Sequence, residues 1–408
     1  MTRNSSRTLL VGLVVLLGAA LAAGAGWVRA RGRIDPEAVR VKAQEDAGAG
    51  RWEDVARALR QLDAHGPPPP DELLLRARLD LVRDRPEEAI ALLDRIPDAS
   101  PVAARARLLA GQVQLRRGHM RHAERYLLEA IRLEPKLLMA RRELVFIYGM
   151  QTRRQALGEQ MQALAEGAPL TFEHLFLWCL TRGSVWDAAE LTKALQSYVD
   201  ADPEDRWSRL ALADALQNLG RLDEAERLLA PLPDSDPDAR AGRIRLALER
   251  GENAKAAALL ADAPPDHAAL ARARGRLALL RRDPQAALEA YRVADRAEPN
   301  HRDTVFGLSQ ALRMTGHPEE AAAYAKLARG HDEVSTLLQY AATAKAKTDP
   351  ELPMKLGAAC EAVGRIAEAR GWYQLAVDRN PLDANAQRAL YRVKAGAQAG
   401  APATAARG

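Results

Sequence analysis

Two thiols, Cys179 and Cys360, are the strongest nucleophiles in the chain. Each stands four residues before a glycine, Gly183 and Gly364, and that shared register reads as two copies of one packing position, far apart, rather than as a disulfide or a nucleophile. There is no CxxC, so a cysteine-rich metal module is not expected. His119 and His122 have the i, i+3 spacing of a metal pair but no third ligand nearby in sequence, and they read as a solvated pair. Glu87-Glu88 and Glu319-Glu320 sit where helices begin, complementing the helix dipole instead of forming an acid and base. GxSxG, HExxH and phosphate-loop motifs are absent. No catalytic residue, metal ligand or cofactor contact is therefore assigned, and a protein that is not an enzyme is expected.

The elements around these residues are helical. Aromatics are only 4% of the 408 residues, while alanine, leucine, arginine and glutamate dominate, a composition that favours helix and offers little for a large sheet. Phrases of the form glycine, turn, then a small residue recur: "GHMRHAERYLLEAIRLEP" from Gly118, "GRLDEAERLL" from Gly220, "GHPEEAAAYAKLA" from Gly316 and "GRIAEARGWYQLAVDRNP" from Gly364. Aligning the small residue gives Val55, Ala89, Ala123, Ala156, Ala188, Ala225, Ala256, Ala287, Ala321 and Ala369. Most of these lie about 34 residues apart.

On those residues the chain from Asp35 to Ala395 resembles the tetratricopeptide repeat (TPR) family. The last unit fits best, with Leu356-Gly357, the turn at Gly364, Ala369, Tyr373, Ala376 and Pro381; Gly111, Gly118, Ala123, Ala130 and Pro135 fit nearly as well, as do Gly275, Ala287, Tyr291, Ala294 and Pro299. The small residues let paired helices approach, and the proline ends the second helix. Asp84 and Arg282 replace the turn glycine, Gly149 is displaced from register, and 332–350 is an extra helix or a degenerate repeat. The resemblance implies an all-α TPR-type solenoid, a right-handed superhelix of about ten hairpins, with residues 382–395 as a capping helix and 396–408 as a disordered tail.

Such an array implies binding of a protein or peptide partner in a groove lined by first helices. The strongest departure from the repeat is central. Phe146, Tyr148, Phe172, Phe176, Trp178, Trp186, Tyr198 and Trp207 crowd one stretch, beside Arg141-Arg142 and Arg153-Arg154. Aromatic and arginine side chains dominate interface energetics, so Arg141, Arg142, Tyr148, Trp178 and Trp207 are the expected partner contacts. The other reading is that large side chains fill a loosely matched junction between repeats.

Before Asp35 the only charged residues are Arg3, Arg7, Arg29, Arg31 and Arg33. Setting them aside leaves 54 basic against 54 acidic residues, so a nucleic-acid footprint is not expected. After a short flank, 1–8, the stretch from Leu9 to Val28 is uncharged and as a helix would span about 30 Å, the thickness of a bilayer core. Trp27 and the basic linker 29–34 favour an uncleaved anchor; Ala23-Gly24-Ala25 permits signal cleavage, which would release a secreted soluble adaptor. Gly18, Ala22 and Gly26 form a small-residue ridge suited to self-association. The expectation is a single-pass membrane protein with periplasmic repeats, a tethered scaffold for assembling or organising an envelope complex. An RNA-binding helical-repeat protein is the alternative.

Overall fold

The structure, a computed structural model, describes residues 35–167, 169–179 and 188–399. The span at 9–28, Trp186 and the residues after 399 lie outside them. Among the described residues every regular element is a helix. The helices pair in order: α1 (Pro36–Gly48) with α2 (Trp52–Leu62), α3 (Pro70–Val82) with α4 (Pro86–Asp94), α5 (Ala103–Arg116) with α6 (Met120–Leu133), and α7 (Leu138–Met150) with α8 (Arg154–Gly167); α9 (Phe172–Cys179) and α10 (Ala188–Ala201) follow, and the residues that join them lie outside the described ones. The series continues with α11 (Arg206–Asn218) and α12 (Leu222–Leu229), α13 (Pro237–Glu249) and α14 (Asn253–Leu260), α15 (Ala268–Leu280) and α16 (Pro284–Ala297), α17 (Arg302–Met314) and α18 (Pro318–Ala341), α19 (Leu352–Ala362) and α20 (Ile366–Arg379), then α21 (Ala384–Ala399). No helix among the described residues is long and apolar enough to cross a membrane.

The turn within each described hairpin is made by one residue at positive φ. Gly50, Gly118, Gly220, Gly251, Gly316 and Gly364 supply it where glycine is present, and Asp84 (φ 57°), Thr152 (φ 54°) and Arg282 (φ 60°) adopt the same left-handed conformation where it is not. The turn geometry is thus kept even where a side chain opposes it. Gly149 is an ordinary residue inside α7, and Thr152 is the true turn of the fourth hairpin. The position five after Thr152 is then Leu157, which is buried at 3% exposure, whereas the expected Ala156 is only half-buried.

Small residues close eight of the other hairpins, while the burial of Ala188 lies outside what the structure describes. Val55, Ala89, Ala123, Ala225, Ala256, Ala287 and Ala369 are wholly buried, and Ala321 nearly so. The eighth hairpin shows the fit: the Tyr291 ring is wedged between Gly275 and Gly307, where a Cβ would stand 2.7 Å and 2.2 Å from ring atoms. The residues expected as an extra helix extend α18 to 24 residues and then form a 3₁₀ turn, Ala344–Thr348. Val334, Leu338 and Ala341 bury the added length.

The chain divides into two compact units, residues 1–110 and 111–408. The first unit has a core of Ala43, Val55, Leu59, Leu62, Leu75 and Leu79. Beside it the buried Glu72 accepts from Arg40 and Arg76. Within the second unit the chain meets itself: α9 packs against α20, although many repeats separate them. Cys179 and Cys360, expected to be remote, face each other with sulfurs 3.7 Å apart. The equivalent helix positions were read correctly, but two helices far apart in the chain can still be neighbours in space.

Candidate functional site

Part of the central cluster, Tyr148, Arg153 and Trp207, forms a connected network in the second unit with Arg206 and Glu124. Arg153, just before α8, places its guanidinium 4.4 Å from the Tyr148 ring centre and 4.6 Å from that of Trp207. The same guanidinium donates to both carboxylate oxygens of Glu124, at 2.6 Å and 2.8 Å, and the Tyr148 hydroxyl donates to Glu124 at 3.1 Å. Burial, then the Glu124 charge, push the Tyr148 phenol above its ordinary range. Arg206 also lies against Trp207, 4.0 Å from the ring centre, and is itself bonded to Asp236 and Asp238. Trp207 is thus in contact with two cations, each satisfied by carboxylates of this chain.

Several of the expected partner contacts are therefore internal. Tyr148 is 3% exposed and Trp178 is 6% exposed, so both belong to the core between repeats. Their size fills the junction where the fourth and fifth units depart from the repeat. Trp207 is half-buried. Arg141 is occupied, donating to Gln160 at 2.9 Å and to the Pro135 carbonyl at 3.0 Å. Arg142 is exposed and makes no hydrogen bond or ion pair among the described residues. It lies close enough to His174 to add to the burial that lowers that imidazole's pKa.

Exposed apolar side chains flank Arg142. Met139 is 44% exposed and Phe146 is 36% exposed, and the spacing of 139, 142 and 146 puts all three on one face of α7. Phe146 was counted among the clustered aromatics but not among the expected contacts. It is separated from the buried Tyr148 by two positions, which on a helix turns a side chain by about 200°.

The histidine pair is not simply solvated. His119 Nδ1 lies 2.8 Å from Gln114 Oε1, and His122 Nδ1 lies 3.4 Å from Asp202 Oδ2. Arg121 donates to both oxygens of the same aspartate, at 3.0 Å and 3.1 Å, so these residues tie α6 to the turn after α10. Burial, reinforced by Arg117 and His122, lowers the His119 pKa. No group of three or more His, Cys, Asp or Glu side chains among the described residues has an arrangement that could hold a metal.

Models of the tetratricopeptide repeat match residues 186–245 and, separately, residues 74–137 and 272–333. No curated protein matches the sequence. Among solved structures, a tetratricopeptide repeat protein from Parabacteroides merdae is similar at 19% identity, covering 60% of this chain and 98% of that one with a TM-score of 0.32. The APC/C hetero-tetramer Cut9-Hcn1 is similar at 14% identity, over 88% of this chain and 90% of that one, with a TM-score of 0.30. Naa15/Naa10 bound to HypK-THB gives 16% identity over 81% of this chain and 61% of that one, with a TM-score of 0.24. The matched stretches run from α3 into α6, across α10 to α13 and from α15 into α18, and over them the chain carries tetratricopeptide repeats.

Proposed function

We propose that the protein is a non-catalytic scaffold that binds a protein or peptide segment on its repeats. It is tethered to the membrane by Leu9 to Val28, holds the repeats on the periplasmic side, and serves to assemble or organise an envelope complex. The observation that carries the binding reading is the α7 face of Met139, Arg142 and Phe146: a guanidinium with no hydrogen bond or ion pair among the described residues, between two exposed apolar side chains. Such a surface suits an extended segment that carries a carboxylate beside an apolar side chain. Of the other expected contacts, Arg141 is bonded within the chain and Trp207 stacks with Arg153 and Arg206, while Tyr148 and Trp178 are buried and serve as support.

The test is in-membrane crosslinking of the full-length protein, followed by alkaline washing, which leaves a spanning chain in the pellet. Replacing Arg142 and Phe146 with alanine is expected to leave the melting temperature nearly unchanged and to remove the crosslinked partner. Crosslinking at the wild-type level would refute this face as the site. Release of the chain by the alkaline wash would refute the tether.

A further inference from the structure

Cys179 ends α9, Cys360 lies in α19, and 181 positions of sequence separate them. Both side chains are wholly buried and their sulfurs are 3.7 Å apart. The surroundings of Cys179 are polar for an interior. Trp372 donates its indole N–H to the Cys179 sulfur at 3.1 Å. The Arg365 guanidinium donates to the carbonyls of Cys179 and Trp178, each at 3.2 Å, and its Nε donates to Glu368 at 3.0 Å. The Phe172 ring closes the pocket edge-on against Trp372 at 5.4 Å.

This is more than two cysteines filling a packing position. An indole N–H donor meets the Cys179 sulfur, the Arg365 cation is held on the adjoining backbone carbonyls, and the second sulfur lies within contact distance, a microenvironment that favours thiolate. Burial pushes the Cys179 thiol up, but the hydrogen bond from the Cys360 thiol and the Arg365 charge bring it below the ordinary thiol range. The same hydrogen bond, together with burial, pushes Cys360 well above that range. One sulfur is thus set as the nucleophile and the other as its proton-bearing partner.

We propose that Cys179 and Cys360 are a redox pair that closes to an intramolecular disulfide, locking α9 onto the last hairpin. The oxidant is hydrogen peroxide, which reaches the buried pair when α9 opens locally from α20. The Cys179 thiolate attacks one peroxide oxygen, the O–O bond breaks, and the departing hydroxide takes up the proton that Cys179 released, leaving as water. Cys179 is then a sulfenic acid. The Cys360 sulfur attacks the Cys179 sulfur, the S–O bond breaks, and the departing hydroxide takes the Cys360 proton as a second water. Two thiols are oxidised by two electrons and one peroxide is reduced to two waters. The sulfurs close from 3.7 Å to a bond of about 2.05 Å.

The test uses the full-length reduced protein treated with hydrogen peroxide, quenched, denatured and alkylated without reductant. The expected result is a monomer lighter by two hydrogens, with neither cysteine alkylated. A single crosslinked peptide pair should join Cys179 to Cys360, reversed by a thiol reductant. In the C360S variant the mass loss should vanish, and Cys179 should instead be trapped as a sulfenic acid by dimedone. A disulfide-linked dimer, a sulfinic acid at Cys179 without a crosslink, or two thiols still free for alkylation would each overturn the proposal.

Discussion

Gly371 tests whether α9 truly rests on α20, because the same substitution gives opposite signs in the two cases. A Cβ added at Gly371 would stand 2.3 Å from Leu175 Cδ2, on α9, and 3.7 Å from Leu170 Cδ1. Leu175 is wholly buried. Carbon atoms prefer separations of about 3.5–4.0 Å, so α9 or Leu175 must move by more than about 1 Å. Overpacking of this kind costs about 1–3 kcal/mol, whereas glycine to alanine inside a free helix gains about 1 kcal/mol. Gly371→Ala is therefore expected to destabilise by about 0–2 kcal/mol and to speed hydrogen exchange in α9 and α20 together. Gly149→Ala is the control, since a Cβ there meets only Leu177 at an ordinary 3.7 Å; it should stabilise by about 0.5–1 kcal/mol. Urea midpoints and peptide-resolved exchange read both variants. If Gly371→Ala stabilises as much as the control, and exchange in α9 slows or is unchanged, the contact between α9 and the last hairpin is refuted.

Two further outcomes follow from the second unit. Burial first, and then the cations Arg365, Arg154 and Arg302, lower the His331 pKa to about 4, with Asp332 opposing them. The unfolded imidazole titrates near 6.5, so the unfolded chain takes up the proton first as pH falls. Stability should therefore be full above about pH 6.5 and decline towards pH 4, and His331→Gln should flatten that part of a stability-against-pH curve; an unchanged slope would refute the assignment. Arg282→Gly should stabilise by about 0.5–1 kcal/mol in urea denaturation, because it relieves a left-handed side chain that costs about 1–2 kcal/mol at the price of extra unfolded-state entropy. A loss of stability there would mean that the Arg282 side chain does more than tolerate its φ of 60°.

The repeats were legible because their signals are local. A residue at the turn, a small residue five positions on and a proline after the second helix all act within one hairpin, and Val55, Ala89, Ala225 and Ala369 are buried as that logic requires. The fourth repeat was misread by one residue because Ala156 was aligned as the small residue five after the turn, whereas the left-handed backbone conformation marks the turn, and Thr152 adopts it. The proposed binding face was harder to read. Composition located the aromatic cluster but could not separate the buried Tyr148 from Phe146, two positions away on the same helix. Pairing also stayed hidden: Arg153 and Arg154 look alike in sequence, yet only the fold shows that Glu124 claims Arg153.

The meeting of α9 with α20 changes how the array must be understood. In an open solenoid each repeat touches only its neighbours, so a local insult stays local. Here Leu175 from α9 presses on Gly371 of α20, Arg365 holds the carbonyls that end α9, and Trp372 covers the Cys179 sulfur. α9 and the last hairpin therefore share a core, and damage to α20 reaches α9 without passing through the repeats between them. Ala369 illustrates the consequence. It is wholly buried two residues before Gly371, so enlarging it would disturb its own hairpin, and any shift of α20 would be passed to α9. Ala225, in α12, has no such contact through its helix among the described residues and remains a case of neighbour-limited coupling.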